Sequence, residues 1–468
     1  MDPKRIVVIG GGPGGYVAAI RASQLGARVT VVEKDQIGGA CLNRGCIPTK
    51  ALLHDAKLLR AIKHSPVFHP LLPEEFDPLE AMMERKKNAV QEMVKGIEGI
   101  LQSQRIAVRQ GEADLLGPHR VIFKNRDGAS EILEADGIIL APGSRTKMLP
   151  HLIPDGERII TSDEALEIRK VPRELLIVGG GYIGVEFATL FSALGSKVTI
   201  VEVLDSILAG LEGELVRNLR RTFEKDGVKV FTQSSIDEIR PQGEGLRVTL
   251  KTPQGIETVG VEKVLLSVGR SPNLGLDFSK ASVEVSPSGI RVNRRMETTA
   301  RGIYAVGDAI GGLLLAHVAS EEGLIAAENL MGIDRTMEQS QIPTCVFTYP
   351  EIASVGLPEK EAKAKGEIRV GRFPFRSNAK ALVSEETEGL IKVVAHRETD
   401  EILGVHIIGP EASTLISIAS TLMNQGMKAE EFTRLIQVHP TLPEALKEAV
   451  LDLSGMAIHL PRPLRGLK

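Results

Sequence analysis

Along the chain, apolar positions switch repeatedly between runs, alternation and helical spacing. Residues 6–9 (IVVI) are continuously apolar, Val17, Ile20 and Leu25 follow within a helical stretch, and residues 28–33 (RVTVVE) return to a β-rich run that ends in an acid. This predicts strand, helix, strand. The pattern recurs at 175–202, where LLIV precedes Phe187, Leu190, Phe191 and Leu194 and the run KVTIVE closes it. Residues 51–105 predict helices, with Leu79, Met82, Met83, Val90, Met93, Val94, Ile97 and Leu101 forming an apolar stripe expected to pack in the core. Residues 106–145 and 227–270 return to β-pattern. From about 341 the texture changes again: apolar runs alternate at 367–375, 389–396 and 401–408, and a helical pattern follows at 411–425. An α/β C-terminal domain is expected there, and no low-complexity linker interrupts the chain.

The two strand–helix–strand stretches are copies of one another. Gly10, Gly12 and Gly15 recur 169 positions later as Gly179, Gly181 and Gly184, and Glu33 recurs as Glu202 at the same offset. A lone GxGxxG is often no more than a glycine turn. In register with strand, helix and a terminal acid, and present twice, it is the fingerprint of a Rossmann-like βαβ unit that seats a dinucleotide pyrophosphate on the helix N-terminus. Each acid stands where it can receive a ribose diol. A carboxylate at Glu202 repels a 2′-phosphate, and the following Val203 and Leu204 supply no arginine to bind one, so NAD is favoured over NADP.

With 468 residues, two to four domains are expected. The formal net charge of −3 gives no reason to expect nucleic acid or an anionic membrane as partner. No apolar run approaches the roughly 20 residues that span a bilayer. Met1-Asp2-Pro3-Lys4-Arg5 leads straight into the first strand, so a cytoplasmic setting is expected.

Three cysteines cannot form a disulfide scaffold in a chain of this length, and two of them, Cys41 and Cys46, lie in GGACLNRGCIPTK. Such a pair points to redox chemistry or to metal. Metal is the weaker reading, because structural zinc prefers closer pairs and a second pair to complete four ligands. On a straight helix, positions five apart are separated by about 7.5 Å along the axis, whereas bonded cysteines have Cα atoms roughly 4.4–6.8 Å apart. The segment must therefore be irregular if the bond forms. Gly38, Gly39, Asn43 and Gly45 allow this, Pro48 removes a helical amide, and a following helix N-terminus would stabilise a thiolate. Cys345, in PTCVFTYPE, is expected to be a buried small hydrophobe.

A thiol pair directly after one dinucleotide unit, with a second unit downstream, resembles the FAD-dependent pyridine nucleotide-disulfide oxidoreductases essentially end to end. TTARGIYAVGD (298–308) resembles the second FAD motif of the family, SVGRSPN (267–273) its GR-x-PN motif, and HPTLPEALKEA (439–449) its active-site segment contributed across a dimer interface. Ala141-Pro142-Gly143 departs from the common Ala-Thr-Gly, and Tyr182 resembles the gating tyrosine of glutathione reductase.

The resemblance implies an α/β fold of an FAD-binding domain (1–150, completed by 271–340), an NAD-binding domain (151–270) and a dimerisation domain (341–468). It implies FAD and NAD as cofactors. Cys41 is implied as the interchange thiol, Cys46 as the thiol beside the flavin, and His439 with Glu444 as the acid–base pair. Lys50 is implied beside the flavin, paired with Glu186, and Asp308 on the ribityl chain. Gly143, Gly269, Arg270 and Ala316 complete the expected cofactor contacts, with His317 structural at a helix start. The implied reaction is oxidation of a dihydrolipoyl group, carried by lipoylated proteins of 2-oxo acid dehydrogenase or glycine-cleavage systems, by a homodimer. Another disulfide reductase of the family and a non-catalytic FAD subunit are the alternatives.

Overall fold

The computed structural model describes residues 2–71, 73, 76–150, 152–338 and 341–461. Its residues group into two compact units. The first comprises Met1–Asp55, Leu71–Lys170 and Ser267–Glu338. It is built on β1 (Arg5–Ile9), α1 (Pro13–Gln24) and β2 (Arg28–Glu33), followed by α2 (Gly39–Arg44), α3 (Cys46–His64) and α4 (Leu79–Ser103). Its seven-stranded sheet runs in the order Ile303–Ala305, Gly137–Leu140, β1, β2, Ala107–Gly117, Arg120–Asn125, Ser130–Glu134. The first five are parallel, and the last two fold back as antiparallel neighbours. Continuous burial of Gly137–Leu140 and of residues 6–9 explains why these segments read as unbroken apolar runs. Because parallel strands end together, the turn after β1 and the acid ending β2 meet at one edge.

The second unit comprises Ala56–Pro70, Val171–Leu266 and Gln339–Lys468. Strands Lys229–Phe231, Lys197–Val201, Glu174–Val178 and Lys263–Leu266 are parallel neighbours in that order. The helix Tyr182–Ala193 connects the central pair, so the second βαβ copy is intact. Residues 235–261 form a three-stranded antiparallel sheet. The C-terminal part is a five-stranded antiparallel sheet ordered Thr344–Val346, Glu351–Gly356, Ile402–Gly409, Leu390–His396, Ile368–Pro374. Helices Ala412–Asn424 and Pro443–Asp452 pack against it over a core that includes Phe373, Phe375, Ile391, Ile407 and Leu446. The runs at 367–375, 389–396 and 401–408 are these strands.

One expectation needs correction. The stripe on α4 is not uniformly core: Leu79, Met82 and Leu101 are buried, but Met93 is 44% exposed. Val90 and Val94, in the middle of α4, instead line a cavity of about 470 Å³ together with Asp35, Ile37, Asn43 and Gln110.

Candidate active site

The two glycine turns share one conformation. Gly10 and Gly179 both have φ +105°, a region closed to most side chains, which lets each strand turn sharply into its helix. A Cβ on Gly15 would fall 1.9 Å from the Gly10 carbonyl oxygen, so helix and strand touch there. Gly184, the matching third glycine, is likewise buried in its helix. The middle glycines differ. A Cβ on Gly12 would meet only Gly39 Cα at 3.9 Å, and one on Gly181 nothing within 4 Å. Both cap helices of 12 residues without a side-chain cap bond, so first-turn amides face open space, as a bound pyrophosphate requires.

Each terminal acid also organises its own loop. Glu33 Oε2 accepts the Gly11 amide at 2.6 Å and Oε1 the Asp35 amide at 2.7 Å. Glu202 Oε2 accepts the Gly180 amide at 2.6 Å and Oε1 the Leu204 amide at 2.8 Å. Every carboxylate oxygen keeps a second lone pair for a ribose hydroxyl. The residues present therefore fit two dinucleotides, and the cavity under α4 opens beside the first acid.

Cys41 sits in α2 and Cys46 opens α3, with the break at Gly45. A Cβ on Gly45 would lie 2.9 Å from the Ala40 oxygen and 3.2 Å from Cys41 Cα, so only glycine allows the two short helices to fold together. Asn43 Nδ2 ties the entry by donating to the Ile37 and Gly39 carbonyls at 3.0 and 2.9 Å. The two sulfurs lie within hydrogen-bonding reach of one another. Contact with Cys46, reinforced by burial, pushes the Cys41 thiol well above its ordinary range, and the Lys50 ammonium opposes this without prevailing. Tyr16, on α1, also lies close enough to feel the charge of Cys41. Cys46, at the N-terminus of a 19-residue helix, has the field that favours a thiolate.

Past the C-terminal ends of Gly137–Leu140 and Ile303–Ala305, strands parallel to β1, Ser144 donates its hydroxyl to Asp308, and Arg270 Nε donates to Ser144 Oγ at 2.7 Å. Arg270 Nη2 also donates to the Ser144 carbonyl at 2.9 Å, and Nε stands 3.8 Å from Asp308. The segments 141–146 and 269–273 are zipped together, with the Gly143 carbonyl accepting the Asn273 amide at 2.8 Å and the Gly269 carbonyl accepting the Lys147 amide at 3.0 Å. Ala316 is the first residue of the helix Ala316–Leu330, with His317 next to it. On that helix the sequence reading missed Glu322, whose Oε2 accepts the Gly307 amide at 2.7 Å beside Asp308.

In the second unit, His439 Nδ1 lies 2.9 Å from Glu444 Oε1, and Glu444 Oε2 accepts the Thr441 amide at 2.8 Å. Partial burial alone would raise Glu444, but the Thr441 amide and the His439 imidazole hold it below the usual carboxylate range. His439 is 70% exposed, leaving Nε2 available. Glu186 is buried and accepts the Phe347 amide at 3.0 Å. Tyr182 is bonded to Thr344 and lies near Cys345, which is only partly buried at the edge of the C-terminal core. Cys41, Cys46 and Lys50 thus come together in one unit, and His439 and Glu444 in the other, which also holds Glu186. Among the described residues, no group of three or more His, Cys, Asp or Glu side chains could hold a metal ion, and no helix is long and apolar enough to cross a membrane.

The sequence pattern of the pyridine nucleotide-disulphide oxidoreductases matches residues 4–323, and that of their dimerisation domain matches residues 342–450. The chain is 40% identical over 458 residues to a dihydrolipoyl dehydrogenase of Bacillus subtilis (strain 168), covering 97% of this chain and 99% of the relative. It is 39% identical over 466 residues to dihydrolipoyl dehydrogenase 1, mitochondrial, of Arabidopsis thaliana, covering 98% and 92%. Among solved structures, LpdA from Mycobacterium tuberculosis superposes with a TM-score of 0.89 at 31% identity, over 96% of this chain and 99% of that one. Carrying both domain patterns, the first of which spans the paired cysteines, the chain belongs to the pyridine nucleotide-disulphide oxidoreductase family.

Proposed function

We propose that the protein is a dihydrolipoyl dehydrogenase, oxidising protein-bound dihydrolipoyl groups and passing the electrons to NAD+. The observation that carries this reading is the Cys41–Cys46 contact across Gly45, a geometry suited to opening and closing a disulfide. FAD, when bound, supplies two-electron transfer between the thiol pair and the nicotinamide.

The remaining steps belong to the chain. One substrate thiolate attacks Cys41, breaking the Cys41–Cys46 bond and leaving the electron pair on Cys46. The second substrate thiol then displaces Cys41, closing the lipoyl disulfide. His439 receives the proton of the attacking thiol at Nε2, while Glu444 holds Nδ1 and stabilises the imidazolium. The upward push on Cys41 keeps that thiol protonated while the thiolate resides on Cys46, at the helix N-terminus. Lys50 contributes positive charge on the same side. Glu33 and Glu202 receive the ribose hydroxyls of FAD and NAD, and Asp308 the ribityl chain; Glu202 argues against an NADPH-dependent thiol reductase.

The site is completed by a second copy of the chain. Ile436 and Val438, just before His439, are 96% and 75% exposed, an unusual setting for apolar side chains in a finished surface. Lipoylated carriers of 2-oxo acid dehydrogenase or glycine-cleavage systems, met in the cytoplasm, would deliver the substrate. The test is to titrate the purified protein with dihydrolipoamide and then NAD+ while recording its visible spectrum. Reduction followed by full reoxidation is expected. A protein that carries no flavin, or that dihydrolipoamide leaves unreduced, sinks the proposal.

A further inference from the structure

Glu322 lies on the helix Ala316–Leu330 and is only 5% exposed. Burying a carboxyl demands a partner, and its Oε2 takes the Gly307 amide at 2.7 Å. Gly307 has φ +71° and starts the short turn Gly307–Ile310, so this bond fixes the backbone directly before Asp308. Asp308 is held on its other side by Ser144 and faced by Arg270. The turn is thus clamped between two polar contacts, one of them a buried acid that the thiol chemistry does not use.

We propose that Glu322 is a positioning residue of the flavin site, holding the Gly307–Asp308 turn so that Asp308 can receive the ribityl chain; the inference rests on the FAD reading above. It acts on flavin retention rather than on the thiols.

The charge environment gives this role a signature. The helix carrying Glu322 packs on α1, on the turn Gly307–Ile310 and on strands Gly137–Leu140 and Ile303–Ala305. From the turn, Asp308 faces it. On α1, Arg21 is taken up by Glu328, and Tyr16 lies near enough to Cys41 to feel its charge. The strands offer only Tyr304. On its own helix, Glu321 and Glu328 are engaged by Arg335. His317 opens the same helix, and among the described residues no cation acts on Glu322 strongly enough to offset its burial. Burial, with a smaller push from Asp308, raises it to about 7, against the pull of the Gly307 amide. A carboxyl raised in the folded chain contributes stability to the fold fully below its unfolded value, near 4.3. The advantage is lost as pH rises through about 7.

The experiment measures FAD release from holoenzyme by the rise in flavin fluorescence, between pH 6 and 8.5. Ionisation sets a second negative charge against Asp308 in the turn, so wild-type release should quicken several-fold as pH rises through about 7. Glu322→Gln keeps an oxygen for Gly307 but cannot ionise, so its release should be slow and flat with pH. Glu322→Ala leaves the Gly307 amide without its partner and should release FAD about tenfold faster than Glu322→Gln, with an equally flat pH profile. A Glu322→Gln profile that follows the wild type, or a pH-independent wild type, overturns the proposal. Should Glu322→Ala fail to fold by circular dichroism, the glutamine comparison still decides. Protein purified without flavin would instead defeat the functional reading itself.

Discussion

His439 and Glu444 face each other at 2.9 Å, and the second carboxylate oxygen is held by the Thr441 amide at 2.8 Å, so the imidazole is oriented by an acid that is itself fixed in place. Glutamine at 444 would keep an acceptor near His439 while losing the charge that stabilises an imidazolium. Glu444→Gln should therefore lower kcat for dihydrolipoamide by about 100-fold with little change in Tm. Because Glu444 is held below the usual carboxylate range, its contribution is complete above about pH 4.3 and is lost only as pH falls through its still lower folded value. A kcat profile of the wild type that collapses with Glu444 protonation near neutral pH would contradict this.

Gly45 admits no side chain, since a Cβ would press on the Ala40 oxygen at 2.9 Å and Cys41 Cα at 3.2 Å. Gly45→Ala should cost about 1–3 kcal/mol in unfolding free energy and drive Cys41 away from Cys46. Thermal unfolding together with thiol counting under mild oxidation checks both. A variant with wild-type Tm that closes its disulfide as readily would show that the break between α2 and α3 can relax.

These features were unequally visible in the sequence. The duplicated units were legible because Gly10, Gly12, Gly15 and Glu33 recur at a fixed offset, and the physics of a strand-to-helix turn needs glycine at those places. The need for irregularity at Cys41–Cys46 followed from helix geometry alone. What spacing could not reveal was the double duty of Glu33 and Glu202, because hydrogen bonds to the Gly11 and Gly180 amides depend on how the loop closes. The repetition of both acids was a signal for it. Glu322 gave no signal at all: one acid in SEEG looks like any helix surface residue, and its burial arises only where its helix crosses α1 through Gly14, Ala18 and Gly323. The place of Val90 and Val94 was hidden for the opposite reason, because apolar residues lining a cavity have the same periodicity as those in a core. His439 and Glu444 were legible only through the family's motif.

On the proposed reading Glu202 carries the coenzyme choice, and its bonds to Gly180 and Leu204 mean that its loss also loosens the loop. Glu202→Ala should reduce kcat/KM with NAD+ and, relative to it, spare or improve NADP+, shifting the preference by about tenfold, the worth of one hydrogen bond to a charged group. Adding Val203→Arg should move the ratio further by supplying a cation for the 2′-phosphate. Steady-state kinetics with both coenzymes checks this. An unchanged ratio in both variants would leave Glu202 with the loop alone.

Cys41 and His439 belong to different compact units, and His439 is 70% exposed beside the outward-facing Ile436 and Val438. An oriented, exposed imidazole beside outward-facing apolar side chains suits a site completed by a second copy of the chain. The test mixes two inactive variants, Cys41→Ser and His439→Ala, under conditions that exchange subunits. In a twofold-symmetric dimer, the mixed species has one site with both Cys41 and His439 and one with neither. Random exchange should therefore restore about one quarter of wild-type activity toward dihydrolipoamide. Native mass spectrometry establishes that exchange has occurred. If the two residues served one site within a single chain, every subunit in the mixture would lack one of them, and proven exchange without recovery would rule out the shared site.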